Sequence, residues 1–317
     1  MYGEGFLIMD GTPADGSRTF YFNAAKATIK FNKNNTLDLV YIDDPKTDTY
    51  LPSIHPDVTG SLYVDNKKLL TASREEAIVV YGRSKVTENL LIEPYYIYKT
   101  EGEFSTTPKL KLNTIGARVV ATVDNWKFGG EFAHQFGEYS NGVDRTGNGG
   151  YVFVGRKYEN LTLKPEFDLR YIYLSGDDPS TTSKNETWDP LFSRNPYWNE
   201  LLIYSMPNDQ AANGGGIPGY WSNMEILKAS LALNFTTETR LDLAYQYIWA
   251  PEESGITNAL LSNNGKSRGH LPTAILSHKF SKNVDGMVQL EYFIPGNFYK
   301  DTADNATFFR WQLQFKI

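Results

Sequence analysis

Apolar and polar residues alternate along most of this chain, and residues 306–317 show the pattern most clearly. One set of alternate positions is apolar and comprises Phe309, Trp311, Leu313, Phe315 and Ile317. The other set is polar and comprises Arg310, Gln312, Gln314 and Lys316. Side chains alternate across a β-strand, so this segment predicts a strand with one apolar and one polar face. Such a strand fits a soluble sheet, and it also fits an outer-membrane barrel whose apolar face meets lipid.

The same period of two recurs along the sequence and predicts thirteen strands. Their predicted bounds are 18–32, 36–43, 77–86, 90–100, 110–123, 126–138, 150–158, 161–175, 224–235, 239–250, 270–281, 286–294 and 306–317. Short connections such as 33–35 alternate with long ones, which include 44–76, 176–222 and 251–269. A membrane barrel has short periplasmic turns and long outer loops. The pattern therefore predicts an all-β fold, with residues 1–317 forming a single antiparallel up-and-down transmembrane β-barrel domain.

The composition of the strand faces favours the membrane interpretation. In the predicted strand 161–175, Leu161, Leu163 and Phe167 share one side, and the opposite side carries Lys164, Glu166, Asp168 and Arg170. Four charges in one row would make a costly protein core. Aromatic residues gather at both ends of the apolar faces, as they do at membrane interfaces. A soluble β protein whose charged faces meet water remains the alternative, since it also shows alternation.

Overall composition narrows the classes further. The 21 Tyr and 18 Phe favour strands, and no apolar run approaches the roughly 18 residues that a membrane helix requires. The chain has no cysteine, which removes disulfides and thiolate chemistry, and its formal charge of −6 argues against nucleic acid as a partner. The four histidines lack short metal-ligand spacing, so neither a metal nor a cofactor is expected. The start, Met-Tyr-Gly-Glu-Gly, lacks the features of a secretory signal, so the protein is cytosolic or its beginning is missing.

Several motifs resemble the alginate-export family of outer-membrane β-barrels. They are Tyr2-Gly-Glu-Gly-Phe6, Asp15-Gly-Ser-Arg18, Asn23-Ala-Ala25, Arg268-Gly-His-Leu-Pro272, Glu291-Tyr-Phe-Ile-Pro-Gly-Asn-Phe-Tyr299 and the terminal strand. The resemblance implies the outer membrane of a Gram-negative bacterium, a signal peptide and eighteen strands. The thirteen predicted strands would then be the last of eighteen. The terminal strand 306–317 is accordingly expected to leave an unpaired or irregularly paired edge.

The resemblance also implies export of an anionic polysaccharide through a pore lined with basic residues. Arginine suits this role because its planar fork pairs with a carboxylate while remaining charged. The candidates for lining the pore and binding substrate are Arg18, Lys26, Lys30, Arg83, Arg118, Arg170, Lys228, Arg240 and Arg310. The same faces also carry Glu93, Glu131, Glu166, Asp168, Asp242 and Glu291, so ion pairs that brace the barrel are the competing explanation. The interpretation is therefore a channel or porin for an anionic polysaccharide or another hydrophilic solute.

The long loop 176–222 holds the candidates for a gate, which are Trp188, Trp198 and Glu200. Its aromatic and polar clusters suit stacking on sugars, and packing of the loop on itself is an equal alternative. The expected partners are outer-membrane lipid, the polysaccharide or solute, and periplasmic export proteins.

Two other classes of function remain open. One is an outer-membrane enzyme acting on lipid or sugar. Ser277 and His278 are adjacent and would face opposite sides of a strand, which weakens that hypothesis, and enzymatic activity is not expected. The other is a structural or adhesive barrel whose loops bind a partner.

Overall fold

The computed structural model describes residues 2–8, 22–47, 55–56, 62–63, 73–104, 106–193, 201, 222–254, 261–262 and 264–316. The strands in these residues are β1 (Ala24–Lys30), β2 (Asn35–Asp44), β3 (His55–Pro56), β4 (Leu62–Tyr63), β5 (Glu75–Thr87), β6 (Leu90–Glu101), β7 (Leu110–Val123), β8 (Trp126–Tyr139), β9 (Asp144–Lys157), β10 (Glu166–Leu174), β11 (Lys184–Asn185), β12 (Met224–Asn234), β13 (Thr239–Trp249), β14 (Ser267–Ser281), β15 (Val284–Pro295) and β16 (Ala306–Phe315). No helix long and apolar enough to span a membrane occurs within these ranges.

One large sheet contains every long strand in chain order, β1-β2-β5-β6-β7-β8-β9-β10-β12-β13-β14-β15-β16. These thirteen strands are the predicted ones, and each pairs antiparallel with its neighbours, so the up-and-down arrangement is confirmed. β11 joins β9 through a short parallel pairing, and β3 pairs with β4 in a separate sheet. Within the described residues, β1 pairs with β2 alone and β16 with β15 alone, in agreement with the expected open edge. The total of eighteen strands stays a prediction.

Most strand boundaries differ from the prediction by a few residues, and the starts of β9 and β10 differ by five or six. β9 begins at Asp144 instead of residue 150, because its glycine-rich first half extends the pairing with β8. β10 begins at Glu166, so the prediction of a strand from residue 161 is wrong. Leu163 and Lys164 have φ angles of 65° and 38°, in the left-handed region that no strand residue adopts. Leu161, Leu163 and Lys164 therefore lie in the turn between β9 and β10, outside the strand faces on which the alternation placed them.

The outer face of the sheet exposes large aromatic side chains, while charged side chains are buried on the inward face. The outward face of β16 leaves Phe309 62%, Trp311 70% and Phe315 66% exposed. The opposite face of the sheet buries charge, with Glu93 2% and Glu291 1% exposed. A soluble domain hides aromatic rings and leaves unpaired carboxylates in water. The inversion contradicts the soluble alternative and is the arrangement that a sheet surrounded by lipid requires.

The inward face has two halves along the strand direction. Near the long loops it is apolar, and its fully buried members include Val79, Ile97, Leu112, Ile172, Ile226 and Ile248. Residues of the segments 2–8 and 186–193 pack in the same apolar cluster. Near the short turns the inward positions are mostly polar or charged. The candidate functional residues lie in the polar half. The segments 2–8 and 186–193 lie where the polar half meets the apolar half.

Candidate functional site

The register of the sheet determines which side chains share its inward face. Lys26 pairs with the buried Val40, and Arg118 pairs with the buried Glu93 and Glu131. Following the alternation from these pairs, the inward face carries eight of the predicted pore-lining cations, which are Lys26, Lys30, Arg83, Arg118, Arg170, Lys228, Arg240 and Arg310. Arg18, Trp198 and Glu200 lie outside the described residues. The role of these cations in binding cargo stays a prediction.

A chain of ion pairs crosses the inward face from β5 to β10. Arg83 Nε lies 2.8 Å from one oxygen of Glu93, and Arg118 Nη1 lies 2.6 Å from the other. Arg118 also contacts Glu4 at 3.5 Å, and Glu4 contacts Arg170 Nη1 at 2.5 Å. Four strands are thus connected through two carboxylates. These pairs match the bracing network that was the competing explanation for the cations.

A second group of ion pairs lies nearer the short turns. Arg240 Nε lies 2.9 Å from Asp242, and its Nη1 lies 3.3 Å from Glu166. Glu166 also contacts Lys157 at 3.4 Å. All four side chains are between 30% and 49% exposed, so water screens these pairs and each contributes little to stability. Their charges therefore remain accessible to a polar molecule.

The second group borders a cavity of about 700 Å³, which we call the turn-side cavity. Strands β8, β9, β10 and β12 to β16 contribute to its wall. Small side chains open its middle, namely Ser230, Ala232 and Ala244. The charged residues around them are Lys127, Arg156, Lys157, Glu166, Asp168, Lys228, Arg240, Asp242, Glu291 and Arg310. The cavity presents both signs of charge to whatever enters it.

Residues 2–8, the N-terminal segment, lie against the inward face. The Tyr2 hydroxyl donates to Asp38 Oδ2 at 3.1 Å, and Glu4 joins Arg118 to Arg170 as described. At Gly3, with φ 57°, a Cβ would lie 3.0 Å from both Arg118 Cδ and Glu131 Oε2, so glycine allows the close approach. Burial alone would raise the pKa of the Glu4 carboxyl, but Arg170 and Arg118 outweigh it and hold the pKa below its ordinary value. The segment is thus fixed by charge as well as by packing.

Residues 186–193, the inner loop, pack on the N-terminal segment. Phe6 stacks on Trp188 with ring centroids 5.4 Å apart, and the Phe192 amide donates to the Leu7 carbonyl at 3.0 Å. Trp188 is 1% exposed and fits against Gly149 of β9, where a Cβ would meet the indole ring at 2.6 Å. The candidate gate residue Trp188 therefore lies inside the molecule, in the apolar half, where it packs on Phe6.

A buried acid anchors the inner loop to the sheet. Asp189 is 1% exposed, and its Oδ1 lies 3.3 Å from Lys99 Nζ. Gln135 holds the Asp189 backbone by accepting from its amide at 2.8 Å and donating to its carbonyl at 2.7 Å. Burial would raise the pKa of Asp189, but the charges of Lys99 and Arg145 outweigh it and lower the pKa. The aspartate is therefore a charged anchor at neutral pH.

Sequence reasoning missed Glu4, Phe6 and Lys99 as site residues. Glu4 and Phe6 belong to the first of the motifs that carry the family resemblance, which was the available signal. Nothing in the alternation indicates that Lys99 meets Asp189, because ninety residues separate them along the chain. Of the residues described, no group of three or more His, Asp or Glu could hold a metal ion.

The sheet exposes aromatic rings on its outer face, buries charges on its inner face and lines a polar cavity with many strands. These features define an outer-membrane β-barrel protein. A model of the alginate export family matches residues 64–312. The chain therefore belongs to the alginate export family, as the motifs indicated.

Solved structures support the fold assignment. One crystal structure of Pseudomonas aeruginosa OprD matches with a TM-score of 0.53 and 13% identity, covering 96% of this chain and 73% of OprD. A second structure of the Pseudomonas aeruginosa outer membrane protein OprD gives a TM-score of 0.54 and 12% identity, covering 99% and 73%. At this identity the similarity establishes the fold alone. No match was found among curated protein sequences.

Proposed function

We propose that this protein is an outer-membrane channel that passes an anionic polysaccharide, or another hydrophilic solute, along its charged inward face. The observation that carries the proposal is the turn-side cavity, in which Lys228, Arg240 and Arg310 come from three different strands to one polar space. Membership of the alginate export family supports a polysaccharide as the cargo. Export proteins in the periplasm would deliver it at the short-turn end.

Mixed charge suits passage better than tight binding. Arg240 is already shared between Glu166 and Asp242, so an incoming carboxylate competes with these partners and gains only part of a full ion pair. Each contact with cargo is then weak and reversible, which transport requires because the cargo must leave every site it enters. The cations provide attraction, and the neighbouring carboxylates limit it.

The N-terminal segment and the inner loop act as the gate in this proposal. They fill the apolar half of the interior, where Phe6 and Trp188 stack. A polysaccharide passing between the turn-side cavity and the long loops needs this contact to open. Trp198 and Glu200 remain proposed members of the same gate.

The test is the conductance of the purified full chain in planar bilayers, with oligo-uronates and neutral oligosaccharides of equal length added from each side. Uronates are expected to block the current at lower concentration than neutral sugars. Replacing both Arg240 and Arg310 by Gln should weaken the uronate block about tenfold, because charge-assisted contacts are lost in a partly hydrated cavity. Heat-modified mobility on gels checks that the variant is folded.

The matched control is Lys111→Gln, which removes a cation from an exposed outward position of β7. It should leave the block unchanged. A folded wild-type protein that fails to conduct ions contradicts the channel, and equal block by neutral and uronate oligomers contradicts the anionic cargo. Hydrolysis of lipid by the purified protein would support an enzyme instead.

A further inference from the structure

Arg156 is unusual among the strand arginines because it faces outward. It pairs in register with Trp126 of β8 and Phe167 of β10, both of which are exposed on the outer face. Its neighbours in the sequence face inward, since Gly155 pairs with Lys127 and Asp168, and Lys157 pairs with Glu166. The position is at the turn end of β9, which ends at Lys157. Arg156 therefore lies in the aromatic belt on the short-turn side of the sheet.

Two aromatic rings hold the Arg156 guanidinium. Its Cζ lies 4.7 Å from the ring centroid of Trp126 and 4.5 Å from that of Tyr158. Trp126 in turn stacks on Phe128 at 6.0 Å, and Tyr158 packs edge-on against Phe167 at 5.9 Å. Four rings thus fix the position of one planar cation. Stacking of this kind orients the guanidinium while it leaves the in-plane N–H donors uncommitted.

No carboxylate neutralises Arg156 in the part of the chain that the structure describes. Its Nε atom is shielded from water and has no hydrogen-bond partner there. Glu159, the closest acid in the sequence, instead pairs with Lys157 Nζ at 3.0 Å. By contrast, Arg83, Arg118, Arg170 and Arg240 all face inward and are ion-paired. A cation held at the lipid boundary without a counter-ion is costly unless the membrane provides one.

We propose that Arg156, held by Trp126 and Tyr158, binds the phosphate of a membrane phospholipid at the short-turn rim. The fork of N–H donors matches phosphate oxygens in geometry and charge. The rings lie at the headgroup level, where Trp and Tyr prefer to be. Lipid acyl chains would then lie along the exposed apolar face beside Phe128 and Phe167. Arg156 also borders the turn-side cavity, but its guanidinium is held by Trp126 and Tyr158, so the lipid site does not depend on the proposed cargo.

The test uses native mass spectrometry of the purified full chain in detergent, titrated with short-chain phosphatidylglycerol or with diacylglycerol of the same chains. Phosphatidylglycerol is expected to give a retained one-to-one adduct, and diacylglycerol is not. Arg156→Gln should lower the affinity for phosphatidylglycerol about fivefold, the effect of one cation at an anionic lipid surface. Inorganic phosphate at millimolar concentration should not displace the adduct, since the site lies in the lipid boundary.

Two variants separate this site from general electrostatic attraction. Lys127→Gln removes a cation at the same rim on the inward side and should retain the adduct. Trp126→Leu keeps the Arg156 charge and removes one ring, so it should weaken the adduct by loss of orientation. Undiminished lipid retention in folded Arg156→Gln, or an equal loss in Lys127→Gln, would overturn the proposal. If Arg156→Gln does not fold, Trp126→Leu provides the test. Undiminished lipid retention in folded Trp126→Leu would then overturn the proposal.

Discussion

At the scale of single residues, Glu4 is the charged side chain that connects the N-terminal segment to the sheet. It accepts a hydrogen bond from Arg170 of β10 and forms an ion pair with Arg118 of β7. Glu4→Gln removes the charge while keeping the size, so both guanidiniums lose one partner and keep Glu93 and Asp168. Because Glu4 is 30% exposed, we expect docking of the N-terminal segment to weaken by about 1–2 kcal/mol, a factor of about 5–30. In planar bilayers, the variant should show a higher open probability.

The control for Glu4→Gln is Glu88→Gln, an exposed acid in the turn between β5 and β6. It makes the same change in net charge at a distance from the docked segment. Its open probability should equal that of the wild type. Equal opening in both variants would show that net charge, and not the contact with Arg118 and Arg170, sets the conductance.

The same carboxyl predicts how the closed state depends on pH. Docking lowers the pKa of Glu4 below its ordinary value near 4.5, with burial opposing the effect and Arg170 outweighing it. A lowered pKa means that the charged form stabilises the docked state. The contribution is therefore complete above the ordinary pKa and is lost as the pH falls through the lowered one. Open probability should stay level from pH 8 to about pH 5 and rise in stronger acid, and Glu4→Gln should abolish that rise.

At the scale of elements, β9 and the inner loop form a fitted pair. Trp188 occupies the space above Gly149, so Gly149→Ala places a methyl group against the indole ring. The strand itself should tolerate alanine, and the expected effect is displacement of the inner loop. Limited proteolysis of the purified protein, with cleavage sites identified by mass spectrometry, should find residues 186–193 cut faster than in the wild type.

A second substitution makes this prediction specific. Trp188→Ala alone also loosens the inner loop, because it leaves a cavity beside Phe6. In the double variant, the alanine methyl at position 149 meets no ring. The increase in cleavage rate should therefore be smaller than the sum of the increases in the two single variants. Strictly additive rates of cleavage would contradict a direct contact as the cause.

The elements also show how much the sequence could predict. Alternation predicted all thirteen long strands, because a period of two can be read from neighbouring residues alone. It also predicted their order, because strands that follow one another in the sequence pair in the sheet. It was wrong at residues 161–165, since Leu163 and Lys164 continue the alternation while their backbone turns. It predicted which cations share a face with Glu93, but not that Glu4 pairs with Arg118 and Arg170. Those contacts depend on segments far apart in the chain, such as residue 4 and residue 170.

At the scale of the whole molecule, the defining property is that the outward face of the sheet meets lipid and the inward face meets a polar space. Two substitutions at neighbouring positions test this property. Ala229 and Ser230 are adjacent in the middle of β12, where Ala229 is exposed on the outward face and Ser230 lines the turn-side cavity. Ala229→Arg should lower the free energy of unfolding in lipid vesicles by about 2–4 kcal/mol, the cost of arginine facing lipid near the bilayer centre. Ser230→Arg adds the same side chain to a polar space beside Asp168, its register partner on β10, and should cost far less. Equilibrium guanidinium unfolding in vesicles compares the two variants. An equal or larger loss of unfolding free energy for Ser230→Arg would mean that lipid contacts the face that carries Ser230. That result would contradict both the barrel orientation and the charged pathway.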